Sequence, residues 1–334
     1  MGKDRYVVKR QLPGKIAEVK IGATKSEGGS RNSVVVVGGD TCLPFSGFCE
    51  NKNPPVISLD IFDMKIPLPR AIREYYEDAM EDPAEWARVA VKKYGAVMVN
   101  LHLVSTDPSI KDTSPEEAAK TVEEVLQAVK VPLFIGGSGN PEKDPKVFAK
   151  VAEVAQGERC LLASATLEAY KTIAASALAY GHNVVAWTNL DVNQAKQLNR
   201  LLTGMGLTPD RIVMDPTTGA LGYGLEYTFS VVERMKIQAL VEDDKELQMP
   251  ILVAASNAWG AREAWRKEKA WGPRECRGPL WEAVTAVTGL MAGVNLILMV
   301  HPYAAQVVRE CIELLRGGKP PESPLSLVRR VVDG

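Results

Sequence analysis

The stretch Val213–Tyr227 reads VMDPTTGALGYGLEY: a short apolar run ends in Asp215-Pro216, then come two threonines and a glycine-rich turn. A carboxylate, two hydroxyls and glycines that let a backbone approach closely are the materials of a ligand loop. Other apolar runs end in similar residues: Asp60 and Asp63; Asn100 and His102; Gly136, Gly137, Ser138 and Asn140; Ser164 and Thr166; Asn189; Ser256 and Asn257; His301. The set is rich in Asn, Ser, Thr and Gly and poor in groups suited to proton transfer. None of these runs ends in a lysine that could form a Schiff base, and no acid–base pair stands out. The three histidines, His102, His182 and His301, fall in separate segments, and His182 precedes its apolar run. The other two do not make a zinc site without carboxylate help. No residue is therefore assigned as catalytic or as a metal ligand.

Side-chain amides and hydroxyls both donate and accept hydrogen bonds. Together they suit a large polar ligand with amide or carbonyl edges, such as a pterin or the rim of a corrin. Taken singly, the same residues have plainer readings. Asp215 before a proline either faces a ligand or caps its own loop, and His102 in an apolar run is either a ligand or a satisfied core residue.

What positions these residues is a regular alternation that starts at Pro55. The strand candidates are 56–62, 96–103, 131–137, 159–166, 183–189, 211–216, 250–257 and 295–302. They are near-continuous apolar runs, as parallel strands covered on both faces require. Helix signals separate them: Ser114-Pro115-Glu116-Glu117 is a capping box, and Asp82-Pro83 follows the same logic. Asp144-Pro145 opens another helix, Asp191 caps the next, and Gly95 and Gly181 stand where helices stop. Eight strand–helix units over about 250 residues predict an α/β fold, a (β/α)8 TIM barrel, with its ligand residues at the C-terminal strand ends. An open doubly wound sheet is the alternative, but no GxGxxG opens a first βα turn, and GGSGN at 136–140 lacks the P-loop lysine. Ahead of the barrel, KIAEVKIG and SVVVVGG flank the turn KSEGGSRN and read as a β-hairpin. The predicted division is an N-terminal β extension, 1–54, and a barrel, 55–334.

Whole-chain properties bound the function. The 334 residues are 46% apolar and 24% charged with a net charge of −1, which argues against nucleic acid or an anionic membrane as the main partner. The apolar runs are shorter than the roughly 20 residues of a membrane span, and MGKDRYVVKRQLPGK has no apolar leader core. A cytoplasmic location is expected. Five cysteines (Cys42, Cys49, Cys160, Cys276 and Cys311) show no CxxC pair or cluster spacing, so free thiols are expected rather than an iron–sulfur cluster or structural zinc. Residues 256–281 hold four of the six tryptophans, with six Lys/Arg and three Asp/Glu between 259 and 281. This segment is expected to bury Trp281 in the core and to place Trp259 and Arg262 near the top rim.

The run VVAWTNLDVNQAKQLNRLLTGMGLTPDRIVMDPTTGALGYGLEYTFSVVERMK, with NLHLVSTDP, LFIGGSGNPEKDP and VVVVGGDTCLPF upstream, resembles the small subunit of the corrinoid iron–sulfur protein, the delta subunit of the acetyl-CoA decarbonylase/synthase system. The resemblance covers nearly the whole chain. It implies a barrel related to pterin-dependent methyltransferases and a heterodimer with a large subunit that alone carries a [4Fe–4S] cluster. It also implies a cobalamin shared between the two subunits. Further implied partners are a methyltetrahydrofolate methyltransferase and acetyl-CoA synthase/CO dehydrogenase, in the reductive acetyl-CoA (Wood–Ljungdahl) pathway of anaerobes. On this reading the cofactor-facing residues are Asn100, Gly137, Ser138, Asn189, Asp215, Thr217, Thr218, Gly219, Gly222 and Asn257. Valine at Gly219 should then disturb corrinoid binding more than folding, unless the glycine only serves the turn. The alternative is a pterin-binding, methyltetrahydrofolate-dependent methyltransferase barrel.

Overall fold

The computed structural model describes residues 11–44 and 51–318. The outer parts of both predicted units, Cys49 and most of the stretch read for a leader lie outside these residues. Strands β1 (Glu18–Ile21) and β2 (Val35–Gly38) pair antiparallel, Glu18 opposite Gly38 and Ile21 opposite Val35. The hairpin expected from the alternating pattern is present.

The eight expected barrel strands follow: β3 (Val56–Phe62), β4 (Val99–His102), β5 (Leu133–Gly136), β6 (Leu161–Ala165), β7 (Asn183–Trp187), β8 (Ile212–Asp215), β9 (Leu252–Ala254) and β10 (Leu296–Met299). All neighbours are parallel in the order β8-β7-β6-β5-β4-β3-β10-β9. A parallel bridge between Met214 and Ile251 joins the ends, with Met214 N donating to Pro250 O at 2.8 Å. The helices are α1 (Arg70–Tyr76), α2 (Pro83–Lys92), α3 (Pro115–Ala128), α4 (Asp144–Val154), α5 (Tyr170–Tyr180), α6 (Val192–Gly204), α7 (Leu225–Leu240), α8 (Arg262–Trp265), α9 (Arg274–Ala292) and α10 (Pro302–Leu315). This is the predicted (β/α)8 barrel.

Local signals act as expected. Ser114 and Glu117 exchange both capping-box bonds at the start of α3. Asp82 accepts from Ala84 N and Glu85 N, and Asp191 accepts from Asn193 N and Gln194 N. Each such cap supplies about 1 kcal/mol by satisfying amides that the first turn leaves unpaired.

The apolar side chains fall into two groups. Ile57, Leu59, Ile61, Val99, Leu101 and their counterparts pack outward under the helices. Met98, Phe134, Leu161, Val185, Val213, Leu252, Leu296 and Leu298 point inward and cluster with Val19, Ile21, Val35 and Val37 of the hairpin. The hairpin is thus a plug under the barrel, bonded to residues at or just before the strand starts. Asn183 Nδ2 donates to Lys20 O, Gly22 N to Arg159 O and Asn32 N to Lys130 O. Burial of each hairpin side chain contributes about 1.5–3 kcal/mol. A buried polar group fixes the plug from the side: Lys236 of α7 is paired with Asp40 and donates to Asn295 Oδ1 at 2.8 Å, while Asn295 Nδ2 donates to Asp40 Oδ2 at 2.9 Å.

One expectation needs correction. Cys42 is disulfide-bonded, whereas Cys160, Cys276 and Cys311 form no disulfide. Bonding depends on how the chain turns after β2, and spacing alone does not reveal that. Among the described residues no helix is long and apolar enough to cross a membrane.

Candidate functional site

Strand periodicity decides which polar groups enter the barrel. Outward packing of Leu59, Leu101 and Met214 turns Ser58, Asp60, Asn100, His102 and Asp215 inward, toward the C-terminal mouth. Asp60 and Asn100 are fully buried. Asn100 Nδ2 donates to Asp60 Oδ1 at 2.8 Å and lies 2.8 Å from His102 Nε2. The His102 ring stacks on Phe62, centroids 5.0 Å apart, and Gly136 leaves room beside it. Asn100 Oδ1 and Ser58 Oγ are buried with no hydrogen-bond partner among the described residues. Both atoms face the barrel interior and have capacity for a further hydrogen bond, from water or from a bound polar group.

The second part of the mouth is the loop that follows β8. Asp215 accepts from Thr217 N at 2.9 Å, and burial, only partly offset by that bond, pushes its carboxyl up to about 7. Thr217 has φ +69° and donates through Oγ1 to Thr188 O, which ties this loop to the one after β7. Thr218 Oγ1 accepts from Ala254 N, and Asn257 Nδ2 donates to Thr218 O. Gly219 N donates to Thr228 Oγ1, and a Cβ on Gly219 would lie 2.5 Å from the Gly224 carbonyl oxygen. Gly219 therefore serves the turn itself, and a valine there strains the loop before it meets any ligand. Gly222 (φ +91°) is exposed beside Trp281 and Glu263. Asn189 and Asn257 are exposed on the rim, near exposed Trp187 and Tyr223, and the Tyr223 hydroxyl donates to Asn257 O. These residues from β7, β8 and β9 form one continuous surface.

The glycine loop after β5 does not join that surface in the expected way. Ser138 N and Oγ both reach Asp144 Oδ1, at 3.0 and 2.9 Å, and Gly139 N reaches Oδ2. A Cβ on Gly137 would lie 2.4 Å from Asp144 Oδ2. Gly137 and Ser138 cradle the buried carboxylate that opens α4, so their polarity is used locally. Asp63 is held likewise by Ser105 N at 3.0 Å, and Lys65, the lysine that follows a barrel strand most closely, pairs with Glu81.

His301 is also structural. Its Nδ1 accepts from Ala304 N as the cap of α10, and burial pushes the imidazole down to about 3. His182 lies at the base, accepting from Cys160 N. Glu282 of α9 was not singled out in the sequence. It is fully buried and accepts from Trp259 Nε1 at 2.8 Å, Val300 N at 2.6 Å and His301 N at 3.2 Å. Burial outweighs these bonds and raises it to about 8. A lone Glu in the apolar helical stretch PLWEAVTAV was the available signal. Trp259, 8% exposed, is the deeply set tryptophan, whereas Trp281 is only half-buried against the core. The expected order of the two is thus reversed, because Glu282 draws the Trp259 indole inward.

A family model described as CO dehydrogenase/acetyl-CoA synthase delta subunit matches residues 18–270. The acetyl-CoA decarbonylase/synthase complex subunit delta of Methanosarcina mazei is 51% identical over 310 residues, 90% of this chain and 71% of that protein. Its counterpart in Archaeoglobus fulgidus is 51% identical over 320 residues, 93% of this chain and 70% of that protein. In Methanothermobacter thermautotrophicus the identity is 52% over 303 residues, with coverages of 90% and 76%. Among solved structures, dihydropteroate synthase from Thermus thermophilus is similar in fold, with a TM-score of 0.51 at 19% identity over 79% of this chain and 94% of that one. The Yersinia pestis enzyme with a pterine–sulfa conjugate gives 0.52 at 14% identity over 79% and 93%.

Proposed function

The chain belongs to the CO dehydrogenase/acetyl-CoA synthase delta-subunit family, and from that premise we propose that it is the small subunit of a heterodimeric corrinoid iron–sulfur methyl carrier. The supporting observation is the rim of the barrel. Trp187, Asn189, Tyr223 and Asn257 stand exposed there, above strand ends whose ionisable groups are bonded within the protein. Flat aromatic faces and neutral amides suit the face and rim of a corrin. The corrinoid, when bound, supplies the cobalt that carries the methyl group.

This chain's own residues bind and shield. Asn189, Thr217 and Asn257 offer amide and hydroxyl partners to ring substituents, Gly222 lets the loop come close, and Trp187 and Tyr223 exclude water. Asp60 and His102, held by Asn100, and Asp215, held by Thr217 N, are kept from acting on a bound methyl group. The [4Fe–4S] cluster is placed on the large subunit. Methyltetrahydrofolate methyltransferase as donor and acetyl-CoA synthase/CO dehydrogenase as acceptor place the complex in the reductive acetyl-CoA pathway, in the cytoplasm of an anaerobe.

A second reading has its own observation. The unpartnered Asn100 Oδ1, with Asp60 and Asp215 inside the mouth, offers acceptors to the N–H edge of a pterin. Titration of the full chain with methyltetrahydrofolate and free cobalamin separates the two. Methyl transfer at enzymatic rates without a partner favours the pterin-dependent methyltransferase and rejects the carrier.

A further inference from the structure

At the same end of the barrel, beside the surface formed by β7, β8 and β9, the loop after β3 and the loop after β9 meet above β10, the strand between them. They enclose a cavity of about 650 Å³ whose walls include Arg70, Arg73, Trp259, Trp265, Arg274 and Glu275. That volume lies within the roughly 300–1,000 Å³ of small-molecule sites.

Charge and shape in this cavity point the same way. Arg70 stands 3.7 Å from Glu74 and Arg274 3.1 Å from Glu275, partly exposed pairs that hold their arginines only weakly. Arg73 is exposed and, among the described residues, enters no ion pair. Trp259 is a preformed wall, bonded to buried Glu282 and stacked on His301 with centroids 6.0 Å apart. Trp265 is 46% exposed at the opening. Free guanidinium groups bind phosphate or carboxylate through paired N–H donors, and an exposed indole covers an apolar ring. None of these arginines, nor Trp265, takes part in the rim formed by Trp187, Asn189, Tyr223 and Asn257.

We propose that this cavity binds a small aromatic anion, a ring bearing a phosphate or a carboxylate, with Arg73 and Arg274 taking the charge and Trp265 the ring. The proposal stands whether or not the mouth meets a corrinoid.

The test is calorimetric titration of the full chain with phenyl phosphate, benzoate, inorganic phosphate and phenol. Saturable binding of phenyl phosphate or benzoate is expected, and whichever binds tells which anion the site prefers. Arg73→Ala and Arg274→Ala should each weaken it about tenfold, the worth of one charge-assisted bond, and added salt should weaken it further. Trp265→Leu should lower affinity for the aromatic anion and leave inorganic phosphate unchanged. Arg73 and Trp265 are exposed and Arg274 partly so, and circular dichroism of each variant should match the parent. The proposal is overturned if neither aromatic anion binds saturably, if both arginine variants bind like the parent, or if phenol binds as well as phenyl phosphate.

Discussion

Asn100 reaches across from β4 to Asp60 of β3, its Nδ2 2.8 Å from Asp60 Oδ1, with both side chains sealed from solvent. The bond supplies a donor to a carboxylate that burial would otherwise leave exposed to the low-dielectric interior. Asn100→Leu removes that donor and should cost about 1–3 kcal/mol in a urea titration of the full chain. Asn100→Asp should cost more, since two carboxylates would then face each other. A leucine variant as stable as the parent would show that Asp60 does not depend on this amide.

Gly219 lies too close to the Gly224 carbonyl for a side chain, since its Cβ would sit 2.5 Å from that oxygen. Gly219→Val should lower stability by at least the 1–3 kcal/mol typical of overpacking, seen as a lower thermal midpoint. Gly204→Ala, in open space within α6, is the control and should be neutral or stabilising. A normal melt for Gly219→Val with altered cofactor binding would restore the glycine to a ligand-facing role.

Stability should fall as the solution turns mildly alkaline. Asp215 and Glu282 are raised to about 7 and about 8, so the folded chain holds protons there that the unfolded chain has released. Their contribution is complete below the ordinary carboxyl range and is lost as pH rises through those values. His301, depressed to about 3, acts oppositely: its contribution is present above about 6.5 and lost as pH falls through 3. Of these three groups only the two carboxyls act above neutrality, and the buried Cys160 thiol, pushed up to about 12, adds to the loss in the same direction as pH nears 9. Thermal midpoints measured from pH 6.5 to 9 should decline, and Glu282→Gln should flatten the decline. An unchanged slope in that variant would mean Glu282 is ionised in the fold at neutral pH.

Lys236 links α7 to the hairpin plug through Asp40 and Asn295. Lys236→Met strands the Asp40 carboxylate and should cost about 3–5 kcal/mol, the usual result of breaking a buried pair from one side. Adding Asp40→Asn should recover part of it. If the single variant melts like the parent, the plug is held by its apolar residues alone.

Much of the fold is legible in the sequence. The eight strands are visible because runs such as VISLDIF and NVVAWTN are mostly apolar, and Asp82, Ser114 and Asp191 mark helix starts with side chains that accept from the next turn's amides. The site is less legible, because a strand-end residue looks the same whether it faces a ligand or a neighbour. Ser138 reads as a ligand hydroxyl until Asp144, six residues on, is seen folded back onto it. Glu282 is hidden for the opposite reason: its three donors come from segments 18 to 23 residues away, and nothing local announces them. The hairpin's strands are readable, but its place beneath the barrel depends on contacts such as Asn183 to Lys20, which no spacing encodes.

The central claim is that this barrel shields a corrinoid held by a partner, and a visible spectrum tests it most directly. The chain, expressed with a cluster-bearing large subunit and purified anaerobically through a tag on this chain, should emerge as a one-to-one heterodimer with corrinoid and iron–sulfur absorption. Replacing Trp187 and Tyr223 by alanine should weaken corrinoid retention while leaving the heterodimer intact. A chain that emerges alone, colourless, and transfers methyl groups from methyltetrahydrofolate to free cobalamin would contradict the account.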